Sequence, residues 1–281
     1  MLLLTAGLVD MQASIQLEKP RGQSGVDRAG GLLLVSGMAF CLGAAGTVYF
    51  CRSMSGGMAM PGGWTMSMIW MRMPGQTWAE SVVMFLLMWL AMMVAMMLPS
   101  ALPLWLAGRR SLVSCGINRP GLPVMLMAGG YFFVWLAVGA VVYAAGMTFA
   151  LGVMHSDELS RAVPWLSGAV LALAGGLQFT SWKLAGLRQC RCPEPGGVAH
   201  ETGRAAWRLG CGQGVACTIC CAPAMLALVV LGTMNLGVMV MVAAVIALEK
   251  LAPKPEAIVR ISGAVAVVIG LDLVVRALSG H

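Results

Sequence analysis

The chain has 281 residues, 59% of them apolar and only 10% charged, with a formal net charge of +7. Soluble globular domains carry about a quarter charged and ~45–50% apolar residues, and a chain this short has too little interior to hide such a surplus. These numbers exclude a soluble domain, a disordered chain, a collagen, a coiled coil and a small disulfide scaffold, and leave an all-α polytopic membrane protein.

The apolar residues fall into seven blocks, at 31–51, 79–106, 123–150, 163–182, 211–231, 235–251 and 257–278, each near the ~20 residues that cross the hydrocarbon layer. Helices are expected throughout, because an unpaired peptide group in lipid costs several kcal/mol and a helix satisfies its own. Spans of a β-barrel would alternate polar and apolar residues, and no block does so. Only Gly232 to Asn235 separates the fifth block from the short sixth one, which predicts a tight hairpin. Residues 1–30 read as a flexible cytoplasmic tail. The run after Met1 ends at Asp10 without the basic start and small-residue cleavage site of a signal peptide, so the first span is expected to direct insertion. Residues 31–279 read as one transmembrane domain with a methionine-rich outer loop (52–78) and a cysteine-containing cytoplasmic loop (183–210).

Lysines and arginines sort by side. Fourteen fall in the tail and in the second, fourth and sixth loops, against four (Arg52, Arg72, Arg161, Arg276) in the others. The positive-inside rule then predicts a cytoplasmic N-terminus and an external C-terminus in the inner (plasma) membrane. The positive charge thus reports orientation and gives no reason to expect nucleic acid as a partner.

Sulfur marks the two sides differently. The outer loop carries three M-x-M pairs within sixteen residues, Met58/Met60, Met66/Met68 and Met71/Met73. Thioethers have no proton to lose and survive where thiols oxidise, which suits copper(I); they also suit an apolar segment resting at the interface beside Trp64, Trp70 and Trp78. In the second block Met84, Met88, Met92 and Met96 recur every four residues and form one helical stripe, extended by Met93 and Met97 and closed by Pro99 and Pro103. Such a stripe serves either as a relay for a soft ion or as gap-filling packing.

The cysteines lie mostly on the cytoplasmic side. Cys190 and Cys192 sit in the basic loop, and Cys211, Cys217, Cys220 and Cys221 at the start of the fifth span. The i, i+3, i+4 spacing of Cys217, Cys220 and Cys221 puts three thiols on one helical face, with Met225 one turn on and Pro223 loosening the helix beside them. Three thiols in a reducing compartment can hold copper(I) or zinc, form a redox pair, or pack as small hydrophobes. Asp272 and Arg276 are spaced for a local ion pair, and Glu249 with Lys250 is expected to be solvated or cross-paired. His155, His200 and His281 lack metal-motif spacing to one another. No nucleophile elbow, HExxH, Walker loop or Rossmann fingerprint occurs, so no enzyme is expected.

The motifs also occur in a familiar order: Trp89 to Pro99 with its A-M-M-x-P core, Tyr131 and Trp135, Thr180 to Arg191, the Cys217/Cys220/Cys221 run, Gly232 to Leu236, and Glu249-Lys250. From about residue 54 to residue 270 the chain resembles a bacterial family of predicted metal-binding integral membrane proteins, a domain of unknown function. The resemblance implies metal handling, with copper(I) first and zinc second, and a cuproprotein or metallochaperone as partner. The family's C-L-x-x-C-R here begins with Gly186 in place of the first cysteine, and Gln213 replaces its histidine or the histidine is missing. Either Cys192 and Cys211 compensate or the site has lost ligands. The competing expectations are a metal handler, a non-metal scaffold or assembly factor, and a thiol–disulfide enzyme using Cys217 and Cys220; the last lacks any thioredoxin-like alternation of strands and helices around the pair.

Overall fold

The structure is a computed structural model that describes residues 24–53, 56–70, 75–114, 117, 120–191 and 203–279. It is helical almost throughout: α1 Ser24–Ser53, α2 Trp78–Ser114, α3 Gly121–His155, α4 Asp157–Leu177, α5 Ser181–Arg191, α6 Gly203–Leu231, α7 Leu236–Leu251 and α8 Pro255–Ser279. The chain forms two compact units, 1–38 and 39–281, so the boundary falls inside α1. In the first unit the described part is helical from Ser24, within the stretch read as a flexible tail, and displays Leu33, Leu34, Val35 and Met38 on its surface.

Among the described residues five helices, α1, α2, α3, α6 and α8, are long and apolar enough to cross a membrane, and a sixth span arises if α4 and α5 count together across their 67° bend. The sixth block became α7, which at 16 residues covers ~24 Å, short of a ~30 Å hydrocarbon layer. The fourth block, 163–182, reads in the sequence as one span. It breaks at Gln178–Thr180, where the amides bond three residues back, Gln178 to Gly175, Phe179 to Gly176 and Thr180 to Leu177, and the Thr180 hydroxyl then accepts the Lys183 N–H at 3.4 Å to start α5. The prolines expected to close the second block do not. Pro99 and Pro103 lie inside α2, which continues to Ser114.

The expected α6–α7 hairpin is present. Gly232 takes φ +111°, open to glycine at little steric cost, and the Asn235 side chain accepts the amides of Gly237 (2.9 Å) and Val238 (3.2 Å) to cap α7. One feature departs from an all-α reading: β1 (Gly57–Met60) pairs antiparallel with β2 (Trp64–Ser67).

Small residues set the helix spacing. Added to Gly168 or Gly175 of α4, a Cβ would stand 2.7 Å from the carbonyl oxygen of Gly270 or Gly263 on α8, so the two backbones touch twice, seven residues apart on each helix. At Gly130 of α3 a Cβ would meet the Trp207 carbonyl oxygen of α6 at 2.5 Å. Elsewhere the bundle turns apolar side chains outward, among them Leu42, Val141, Val240 and Leu278. Asp272 and Arg276 form the expected i, i+4 ion pair at 2.9 Å, exposed on α8.

Gly175→Val should therefore cost about 1–3 kcal/mol by overpacking, read as a lower unfolding temperature in detergent. Gly176→Ala, whose Cβ would meet nothing within 4 Å, should leave that temperature unchanged.

Candidate functional site

The three thiols of α6 face inward together, with Cys217, Cys220 and Cys221 all buried. Cys217 is their hub. Its Sγ lies 3.8 Å from Cys221 Sγ and 3.9 Å from Met97 Sδ of α2. Tyr131 of α3 donates its hydroxyl to the same sulfur at 3.0 Å, and Lys250 of α7 donates its ammonium at 2.9 Å. The Cys190 thiol of α5 lies beside Cys217 and Cys220. A thiol with this many donors aimed at it is built to carry negative charge.

Beneath the thiols lies a buried ion pair. Lys183 Nζ and Glu249 Oε2 stand 2.7 Å apart with side chains 0% and 1% exposed. Lys183 also donates to the Cys220 carbonyl oxygen, while Glu249 accepts from Gln178 Nε2 (3.3 Å) and the Ser262 hydroxyl (3.1 Å). Glu249 is thus cross-paired. Lys183 and Arg109 are buried and Lys250 is half-buried on α7 with its ammonium on Cys217, so none of the three is a solvated loop charge; the charge bias between the two sides keeps its sign without them.

Beside Cys217 opens a cavity of about 210 Å³, lined in part by Ser100, Trp105, Tyr131, Gln213 and Lys250. Two polar atoms there, Trp105 Nε1 and Gln213 Oε1, are buried without a hydrogen-bond partner among the described residues, which makes the cavity receptive to water or a small polar ligand.

The remaining expected residues divide. Cys190 joins the cluster through the bend of α5. Cys192 lies outside the described residues, as does the Met68 side chain. Cys211 backs onto α3, where a Cβ at Gly130 would meet its Sγ at 3.3 Å, away from the thiol face. Met225, one turn past Cys221, is half-buried. Met92 and Met96 are buried with Met88, Met93 and Met97, but the thioether that reaches Cys217 is that of Met97. In the hairpin, Met58 pairs with Met66 and Met60 with Trp64. Met58 is exposed, whereas Met66 is buried in an apolar cluster with Ala150, Val153 and Val163, against which Met60 packs. Among the described residues no three or more His, Cys, Asp or Glu are arranged to hold a metal ion. Sequence reasoning missed Met97, Lys183 and Lys250 as parts of this site; the available signal was two lysines bordering apolar blocks, since ionisable groups at membrane depth are rare and functional.

An apolar helical bundle that gathers thiols, a thioether and two lysines at one end defines a protein with a soft-donor centre. Residues 86–273 match the PpoB2 family of copper chaperones, about two thirds of the chain, and the chain belongs to that family. The expectation of a copper-related family holds. No curated protein and no solved structure matches the chain.

Lys183→Met leaves Glu249 charged and buried, and should destabilise the protein by about 3–5 kcal/mol; Lys183→Met with Glu249→Leu should regain most of that. Thermal unfolding of the three proteins in detergent measures it, and an additive double variant would refute the coupling.

Proposed function

We propose that the protein is a multi-pass membrane copper chaperone that binds copper(I) on Cys217 and Cys221 with Cys190, Cys220 and Met97 as neighbouring donors, and passes it to a cuproprotein or metallochaperone. The supporting observation is the spacing around Cys217. Two sulfurs each ~2.3 Å from one ion stand ~3.8 Å apart in a tetrahedral site and ~4.0 Å apart in a trigonal one; the distances of 3.8 and 3.9 Å to Cys221 and Met97 match both. Charge favours copper(I) over zinc. Two thiolates with one copper(I) sum to −1, which the Lys250 ammonium balances, whereas zinc on four thiolates sums to −2 and leaves −1 in a buried site once the same ammonium is counted. In this reading Lys250 withdraws from Cys217 as the ion arrives and stays as counter-charge.

The lysine and arginine bias supports placing the thiol end at the cytoplasm, where thiols stay reduced, and the β-hairpin end on the opposite face of the inner membrane. The role is binding and delivery, with no catalytic residue assigned. One observation favours the scaffold reading instead: no His, Cys, Asp or Glu triad among the described residues is arranged for an ion.

The two readings separate on copper content. Full-length protein in detergent, loaded with copper(I) under reducing conditions, should hold copper with a sulfur-only shell in X-ray absorption. Cys217→Ser/Cys220→Ser/Cys221→Ser should hold at least one equivalent less while keeping its helical content. Equal copper in both proteins, or none in either, would overturn the assignment of these thiols.

A further inference from the structure

The other end of the bundle holds a second pair of soft donors. Cys51, in the last turn of α1, and Met239, in the first turn of α7, bring Sγ and Sδ to 3.8 Å. Both side chains are buried. The spacing is the one that supports the thiol-end site, and it again falls where one ion would hold two sulfurs. Beside the pair lies a cavity of about 1380 Å³, lined in part by Cys51, Met66, Met234 and Asn235. Met66 is fixed there by the hairpin, which is tied to α4 by the Trp64 indole donating to the Ser160 carbonyl oxygen (3.0 Å) and the Ser160 hydroxyl donating to that of Pro61 (2.7 Å).

We propose that Cys51 and Met239 form a separate copper(I) site, reached through this cavity. The proposal rests on the reading of the chain as a copper handler, but uses none of the thiol-end ligands. A thiol and a thioether at this spacing leave room for a further donor from the cavity, such as the Met66 thioether, and make a three-coordinate soft site that copper(I) accepts and that zinc, which wants four ligands, does not. On binding, the Cys51 S–H bond breaks, an S–Cu bond forms, and the proton leaves through the cavity to water. Thiolate, thioether and copper(I) then sum to zero charge, which a buried site can hold without a counter-ion.

The site is spatially distinct. Met239 and Lys250 are eleven residues apart on one helix, ~16 Å along its axis. Cys51 also precedes residues 86–273, the stretch matched to the family.

The test combines variants of the full-length protein in detergent, titrated with copper(I) in a chelating buffer under reducing conditions. In the Cys217→Ser/Cys220→Ser/Cys221→Ser background one equivalent should remain, and adding either Cys51→Ser or Met239→Leu should remove it. Met239→Leu conserves volume, so an unchanged unfolding temperature excludes collapse of the fold. In the wild-type background Met239→Leu should lower the stoichiometry by one. No copper in the triple variant, with copper bound by the wild type, overturns this site and leaves the thiol-end reading standing. No copper in any variant overturns both. Copper that persists after Cys51 and Met239 are both substituted assigns it to other sulfurs and also refutes the proposal.

Discussion

Lys183 and Glu249 sit 2.7 Å apart in a part of the bundle that water does not reach. Moving each charge there carries an effective penalty of several kcal/mol, offset only if every polar atom of the pair is matched. The structure matches both carboxylate oxygens and gives the ammonium two acceptors, drawing on five helical segments or their ends: Gln178 past the end of α4, Lys183 from α5, the Cys220 carbonyl oxygen from α6, Glu249 from α7 and Ser262 from α8. The ion pair therefore fixes the path of the chain. Lys183 reaches inward because α5 turns away from α4 by 67°, and Cys190, seven residues later, lies on the same face of α5. The bend that satisfies a buried charge is also what delivers the fourth thiol.

A second consequence follows from neighbouring positions on α7. Glu249 and Lys250 are adjacent, so their side chains leave the helix ~100° apart, one towards Lys183 and the other towards Cys217. One turn of helix thus joins the structural ion pair to the charge that faces the thiols. Removing Glu249 would disturb Lys250 without touching it. The hub sulfur is reached from α2, α3, α5 and α7 at once, so its position is determined by the bundle as a whole.

Much of this was legible in the sequence, and the failures have particular causes. Block length and hydropathy located the long helices, because lipid demands continuous apolar runs. The i, i+3, i+4 thiols, the Gly232–Asn235 turn and the Asp272–Arg276 pair depend only on local geometry, and all three are present. Lys183 and Lys250 read as loop charges because nothing in a sequence says which partner a lysine at a block edge will find. Met96 and Met97 cannot be ranked from sequence because adjacent positions of a stripe face partners that only packing reveals. The hairpin signal was there to read: Met58, Met60, Trp64 and Met66 alternate around Pro61-Gly62-Gly63, a period of two about a turn. Neither a ligand nor an interfacial reading of those methionines calls for a strand, and burial of Met66 among Ala150, Val153 and Val163 favours packing as its first role.

The methionine stripe of α2 links the two ends, and electrostatics limits what it can do. Copper(I) on thioethers alone keeps its full positive charge, and the buried stretch from Met88 to Met96 offers only uncharged neighbours along α2. A lone cation there would bear a desolvation penalty of several kcal/mol with no thiolate to offset it. Each proposed end site, in contrast, reaches neutrality, through Lys250 and two thiolates at one end and through a single thiolate at the other. An ion would therefore rest at the ends and meet a barrier between them, unless the bundle opens or an anion travels with it. Binding and release at one end is easier on these terms than passage through the middle, and that behaviour fits a chaperone better than a channel.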